Sequence, residues 1–566
     1  MAGMPQGGTP YDWACAHARL RPDEPAVLVW RDGEVCKTLS WESLRQHVCQ
    51  MREGLASCGV KPGDRVITAL GNDASFVIAL LACGAAGAIA VPAPVPTLRR
   101  TEAFRERLLG IARSCQASLL ITTGAWIPLV SPLISAAAPG CRPASYGSVL
   151  HGAGTSPSGE RTPVCSSGIA LLQFTSGSTG SPRGVAVTYD MLAASCGQAA
   201  AVYQERQSDV AVSWVPLYHD MGLITAVMRP LYSGYPTVIL SPEDFVRSPE
   251  TWLKAIDRCG GTLSSAPDFG YDLCVRKVPA SDADQLDLSR WRVARNAGEV
   301  VRHRTLDRFC ERFARAGFRR EALCPSYGLA EATLTVTSCR PQVPPLRLAV
   351  RHEDLLDGVV TPVAPAGGGH RWLVSSGVPL PGTSVKISGC AQDGRIGEVL
   401  IRGPQLSPGY WSAAGPPDHR EQDSGWHATG DLGFLWSGHL FVLGRADDTL
   451  VVHGRNYFAA DIAAACSEVP GIRLGRIAAF VEYRDERHSV RLLAEVAADA
   501  DGSAAGLARI ARSAQVALAR KLELYVSDVG LVRAGELPVT TSGKVRASEA
   551  GRRHAAGAII PLTVVR

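Results

Sequence analysis

The sequence has no apolar run of the roughly 18 to 20 residues that a membrane helix needs. Its N-terminus also lacks the charged-then-apolar order of a secretory signal. A cytoplasmic protein without a membrane span is therefore expected. Charge of one sign is scarce: 58 Lys and Arg against 53 Asp and Glu leave +5 over 566 residues, too little to mark a nucleic-acid reader. The 16 cysteines form no CxxC pair and no Cys/His cluster at zinc-ligand spacing, which argues against a disulfide framework and a structural metal. They read as small buried residues in a reducing compartment. No G-x-x-x-x-G-K-[ST] string occurs, so kinase-like and GTPase-like phosphate sites lose their usual support. No repeat of 20 to 50 residues is visible.

What is present is a globular composition, 46% hydrophobic and 20% charged, in a chain long enough for a large multi-lobed domain and a smaller one. The apolar stretch 76–92 predicts a buried helix followed by a strand. Helix and strand patterns alternate from residue 38 to about 92, the signature of parallel α/β layers. After a Gly/Ser/Pro-rich stretch at 143–168, the theme resumes with strands at 169–174 and 184–188 and a helix at 190–202. Further strands are expected at 212–214, 237–240, 292–296 and 322–327. Residues 339–371, with Pro-Pro and Gly-Gly-Gly, interrupt the theme and read as an insertion or long connection. Short strands then dominate 385–443, including a pair around a Ser-Gly turn at 437–438, and predict a smaller barrel-like lobe. The last segment, from about residue 447, has the size of a separate domain.

Six local patterns carry candidate chemistry. Thr175-Ser176-Gly177-Ser178-Thr179-Gly180-Ser181-Pro182-Arg183-Gly184 lies between two predicted strands. Its hydroxyls and glycine-exposed N–H groups suit an anion cradle, with Arg183 to offset phosphate charge. Downstream come Tyr218-His219-Asp220-Met221-Gly222-Leu223, then Pro325-Ser326-Tyr327-Gly328-Leu329-Ala330-Glu331, then Thr429-Gly430-Asp431, then Gly444-Arg445-Ala446-Asp447-Asp448, and finally Thr540-Thr541-Ser542-Gly543-Lys544. Taken singly, these are a turn, a structural histidine and a solvated lysine as readily as a site.

Together and in this order, they resemble the adenylate-forming superfamily of acyl-CoA synthetases, fatty acyl-AMP ligases, luciferases and nonribosomal adenylation domains. The resemblance spans about residues 169–544. It implies an α/β fold: a large N-terminal domain, 1–446, of layered α/β subdomains plus a barrel-like lobe, and a small mobile α+β C-terminal lid, 447–566. It also implies ATP and Mg2+. Thr175, Ser176, Gly177, Ser178, Thr179, Gly180 and Arg183 would hold phosphates. Ser326, Tyr327 and Gly328 would form the adenine wall, with Tyr327 stacked on the base. Glu331 would carry Mg2+, Asp431 the ribose hydroxyls, and Arg445 ribose or phosphate. His219 would gate the acyl pocket, Asp447 would be the hinge, and Lys544 the catalytic lysine.

Other stretches look most like the fatty acyl-AMP ligase branch: Pro267-Asp268-Phe269-Gly270-Tyr271, Tyr327 to Thr333, and Gly454-Arg455-Asn456-Tyr457. That branch carries an extra segment where 339–371 stands, implicated in restraining the C-terminal domain. The implied function is activation of a fatty or related carboxylic acid to acyl-AMP, then transfer to the phosphopantetheine thiol of a holo acyl carrier protein. Departures are Arg183 for the usual Lys, Asp268 for Asn, and Asn296-Ala297-Gly298-Glu299 for Asn-Gly-Ala-Glu. Two alternatives remain: an acyl-CoA synthetase, separated by whether free coenzyme A accepts the acyl group, and a non-catalytic nucleotide-binding homologue, against which Glu331 and Lys544 argue.

Overall fold

The computed structural model describes residues 8–95, 101–152, 168–175, 182–364, 370–390, 392–412, 415–417, 425–452, 455–484, 487–540 and 545–565. The chain divides into two compact units: 1–347 with 374–385 and 401–427, and 348–373 with 386–400 and 428–566.

The first unit is built on two largely parallel sheets. In the seven-stranded one the order is Tyr410–Trp411, Arg183–Thr188, Ile169–Thr175, Ile89–Pro92, Arg65–Ala69, Leu119–Thr122, Arg142–Ser145. The nine-stranded one runs Val378–Pro379, Thr335–Ser338, Leu323–Gly328, Val293–Asn296, Leu263–Ala266, Ala211–Ser213, Thr237–Ile239, Pro25–Arg31, Glu34–Ser40. The helix predicted near residue 76 spans Ala74–Ala85, and ten of its residues are buried, as an all-apolar helix must be. Asp73 caps it by accepting from the Ser75 N–H at 2.7 Å. Aromatic side chains gather beside the nine-stranded sheet. Trp214 stacks on Phe245 at 3.7 Å between centroids, and Trp252, Tyr271, Trp291 and Phe309 continue the cluster edge to face.

In the second unit, the hairpin His427–Trp436/His439–Arg445 turns at Ser437 and Gly438, whose φ values are 50° and 75°. Two successive positive φ angles suit the right-handed twist of a two-residue hairpin. A further sheet of Ile472–Arg484, Arg487–Val496, Asp528–Val532 and Thr563–Val565 shares a core with the helix Ala504–Leu522. Leu507, Ile510, Ala511, Ala514, Leu518 and Leu522 form that helix's buried stripe.

Residues 339–371 are only partly a connection. They hold the strand Arg347–Arg351, the helix His352–Leu356 and the start of the strand His370–Val374. Leu356 joins the core of Leu450, Tyr457 and Ile462, and Arg371 pairs with Asp461 at 2.6 Å. The inserted segment therefore packs on the start of the C-terminal region. Among the described residues no helix is long and apolar enough to cross a membrane.

Candidate active site

The glycine/hydroxyl loop joins two antiparallel strands of the first unit. Thr175 and Arg183 face each other across its base; Ser176, Gly177, Ser178, Thr179 and Gly180 lie outside the described residues. Strand Tyr410–Trp411 pairs with the outgoing strand, Tyr410 opposite Val185. This puts the Arg183 guanidinium 3.6 Å from the centroid of the Tyr410 ring. The hydroxyl of the same tyrosine donates to Glu331 Oε1 at 2.6 Å. One side chain thus joins the cation at the loop's end to the carboxylate expected to carry a metal. Sequence reading missed Tyr410, because Pro408-Gly409-Tyr410-Trp411 reads as a turn.

Glu331 stands in the short helical turn Ala330–Ala332. Thr333, just after it, has φ 61° and ψ −52°, a conformation costly for a β-branched residue. It is retained because its hydroxyl donates to Gln405 O at 2.9 Å and the Ser407 N–H donates to Glu331 O at 2.7 Å. Segment 405–410 therefore clasps the turn from both ends. Upstream, a bulge between Tyr327 and Gly328 lets Gly328 approach the neighbouring strand so closely that a Cβ there would lie 1.6 Å from Leu334 O. Ser326 and Tyr327 are buried on the same strand.

His219 caps the short helix Asp220–Leu223. Its Nδ1 accepts from the Met221 N–H at 3.4 Å and lies 2.6 Å from Asp220 Oδ1. Two residues that sequence reading did not single out brace this segment. Asn72 donates to Val215 O at 2.9 Å and accepts from the Leu217 N–H at 2.9 Å. Gln173 donates to Tyr218 O at 2.9 Å, from the strand that leads into the loop.

Asp268 is fully buried. It accepts from Asn296 Nδ2 at 3.0 Å and Thr305 Oγ1 at 2.9 Å, and it pairs with Arg302 at 3.0 Å. Burial pushes its carboxyl up to about 6, against the opposing pull of Arg302.

In the second unit, Asp431 and Arg445 are direct partners across the hairpin, with Arg445 Nη1 3.7 Å from Asp431 Oδ1. Arg445 Nη2 lies 3.7 Å from Asp447 Oδ2, so the expected ribose, phosphate and hinge residues form one charged group. Lys544 lies outside the described residues.

The AMP-binding enzyme family matches residues 15–411. The chain belongs to this family. Among AMP-binding enzymes, it is 31% identical to the long-chain-fatty-acid–AMP ligase FadD26 of Mycobacterium marinum over 95% of each chain. It is 32% identical to the medium-chain-fatty-acid–[acyl-carrier-protein] ligase JamA of Moorena producens, over 85% of this chain and 84% of that one. A solved structure from work on the fatty acyl-adenylate ligases of E. coli and L. pneumophila superimposes with a TM-score of 0.90 at 29% identity, covering 98% of this chain and 100% of that one. The α/β architecture is thus that of the adenylate-forming enzymes, which use ATP.

Among the described residues no group of three or more His, Cys, Asp and Glu could hold a metal ion. Glu331 spends one oxygen on Tyr410 and leaves the other. A single carboxylate suits Mg2+, which takes most of its ligands from phosphates and water.

Proposed function

We propose that this protein activates a fatty or related carboxylic acid with ATP, forming acyl-AMP and pyrophosphate, and passes the acyl group to the phosphopantetheine thiol of an acyl carrier protein. The observation that carries the reading is the Arg183–Tyr410–Glu331 connection, which ties the phosphate loop to the metal carboxylate in a chain whose relatives include fatty-acid–AMP and acyl-carrier-protein ligases.

In the first step, a carboxylate oxygen of the acid attacks the α-phosphorus in line. The new bond is C–O–P, the α–β phosphoanhydride bond breaks, and pyrophosphate leaves with the electron pair. The protein's work is positioning and charge neutralisation. The 175–184 loop with Arg183 holds phosphates, Tyr327 with Ser326 and Gly328 walls the adenine, Asp431 holds the ribose, and Arg445 neutralises charge beside it. Glu331 would hold Mg2+, which supplies charge neutralisation at the phosphates. His219 guards the entry of the acyl chain. Lys544 bridges the carboxylate and α-phosphate oxygens, and Lys544→Ala should lower pyrophosphate release about a hundredfold or more, measured by a coupled assay. In the second step residues 447–566 pivot at Asp447, Lys544 withdraws, and the thiolate displaces AMP. Restraint of the C-terminal region by the 339–371 segment is part of this proposal, and it favours the ligase branch over coenzyme A chemistry. The reaction is proposed to run in the cytoplasm.

The deciding experiment follows radiolabelled fatty acids with ATP and Mg2+, with and without coenzyme A and a holo carrier protein. Acyl-AMP that persists with coenzyme A and is consumed by the carrier is the expected result. Formation of acyl-CoA would reassign the enzyme to the synthetases.

A further inference from the structure

Behind the His219 segment, a small cavity of about 10 Å³ is bounded by the strands Ala211–Ser213, Leu263–Ala266 and Val293–Asn296 and the π-helical turn Ile224–Met228. Such a volume takes one water-sized group. Its lining includes the polar side chains of Ser213, Thr225, Arg229, Tyr235, Ser264 and Arg295. Turns of π-helix interrupt α-helical spacing and recur at functional sites; this one places both Thr225 and the start of the helix bearing Arg229 against the sheet.

The two arginines differ. Arg229 is neutralised by buried Glu205, with Nε donating to Oε1 at 2.7 Å and Nη2 reaching the same oxygen. Arg295 is 1% exposed and has only neutral partners: Nε donates to Ser326 Oγ at 2.9 Å, and Nη2 to Thr335 Oγ1 at 2.9 Å. Its Nη1 has no hydrogen-bond partner, and no ion pair forms with it among the described residues. Tyr271 O–H fixes its backbone by donating to Arg295 O at 2.8 Å. Desolvation disfavours the charged form, and Asp220, already engaged with His219, acts on it only through space. A buried guanidinium held at two nitrogens and idle at the third is a preorganised donor in want of an acceptor.

The surroundings say what the acceptor belongs to. Ser326, which anchors Arg295, precedes Tyr327 of the adenine wall. Thr225, which lines the cavity, donates to Met221 O at 2.7 Å, two residues after His219. Met221 in turn sits so near Gly298 that a Cβ there would come within 3.1 Å of its Cε. Arg295 thus lies between the proposed nucleotide and acyl-entry residues.

We infer that the acid activated by this enzyme carries a single-oxygen substituent on its acyl chain, as a hydroxyl or oxo group, and that Arg295 Nη1 donates to that oxygen and selects for it. The inference rests on the adenylation reading and names its substrate class. A cavity of this size admits one oxygen and excludes a run of methylenes.

The test is ATP–pyrophosphate exchange by the full chain with chain-matched acids: unsubstituted, hydroxylated and oxo acids with the oxygen moved from carbon 3 to the chain end. Wild type should favour at least one oxygenated acid over its parent by tenfold or more in kcat/KM. Arg295→Met should erase that ratio, chiefly through KM for the oxygenated acid, with the parent acid held or improved. Thr225→Val should reduce it by a smaller factor, and it carries the comparison alone if Arg295→Met does not fold. Parent acids that match or outdo every oxygenated acid, with a ratio unmoved by either substitution, would make Arg295 a brace between strands and overturn the inference while leaving the adenylation reading intact. Absence of exchange with any acid would overturn both.

Discussion

The contacts of Tyr410 with Arg183 and with Glu331 are of different kinds, and substitution separates them. Tyr410→Phe keeps the ring under Arg183 and deletes the 2.6 Å hydrogen bond to Glu331. A hydrogen bond to a charged group contributes about 1.5 to 3 kcal/mol, so pyrophosphate release should fall roughly 10- to 100-fold and require more Mg2+. A Mg2+ titration of initial rates checks this, and an unchanged half-saturating Mg2+ concentration would detach Tyr410 from the metal carboxylate. Asp268 offers a pH test. Burial lifts its carboxyl from 3.8 to about 6, so the folded protein holds that proton more tightly than the unfolded chain. Its contribution to stability is complete below about pH 4 and is lost as the pH rises through about 6. Asp268→Asn cannot titrate. The melting temperature of the variant, relative to wild type, should therefore climb between pH 5 and pH 7.5; a constant difference would contradict the assignment.

At the scale of elements, the bulge at Tyr327/Gly328 and the clasp 405–410 set where the adenine wall and Glu331 stand. Gly328→Ala places a methyl against Leu334 O, a backbone atom that can yield only if the bulge opens. We expect a loss of about 3 kcal/mol or more, read as a lowered denaturation midpoint, together with a raised KM for ATP. Much of this level was legible in the sequence. The strand around 169–175, the helix after 188 and the hairpin at Ser437-Gly438 declare themselves through apolar runs and turn residues, which act locally. Tyr410 did not, because its partner Glu331 is 79 residues away and nothing in a Pro-Gly-Tyr-Trp turn names a distant carboxylate. Arg295 was hidden by its setting: Val293-Ala294-Arg295-Asn296 reads as a strand whatever the arginine does. Residues 339–371 read as a connection because their two strands and one helix are short and lie among prolines and glycines. Their packing partners, such as Asp461, come far later in the chain.

At the scale of the molecule, the inserted segment and the C-terminal region share one ion pair that lies mostly out of solvent. Arg371 and Asp461 are 17% and 13% exposed and 2.6 Å apart. Burial pushes the Asp461 carboxyl up, and Arg371 pulls it back. Removing the arginine strands the carboxylate, which for buried pairs costs about 3 to 5 kcal/mol. Arg371→Met should therefore lower the melting temperature and expose residues 348–373 to limited proteolysis. If the segment restrains the lid, the same variant should gain measurable acyl transfer to coenzyme A; a folded variant with no such gain would remove the restraining role from this pair.

The nine-stranded sheet also governs how the chain comes into being. Strand Pro25–Arg31 lies beside Thr237–Ile239, with Val27 opposite Thr237. During synthesis from the N-terminus, at about 5 to 20 residues per second, the first strand waits on the order of 10 to 40 seconds for its parallel neighbour. Through that interval it has only the hairpin partner Glu34–Ser40, and one apolar edge stands open to any other extended chain. Newly made protein should therefore be at greatest risk of aggregation before residue 240 has left the ribosome, and the yield of active enzyme should depend on chaperones that shelter this edge.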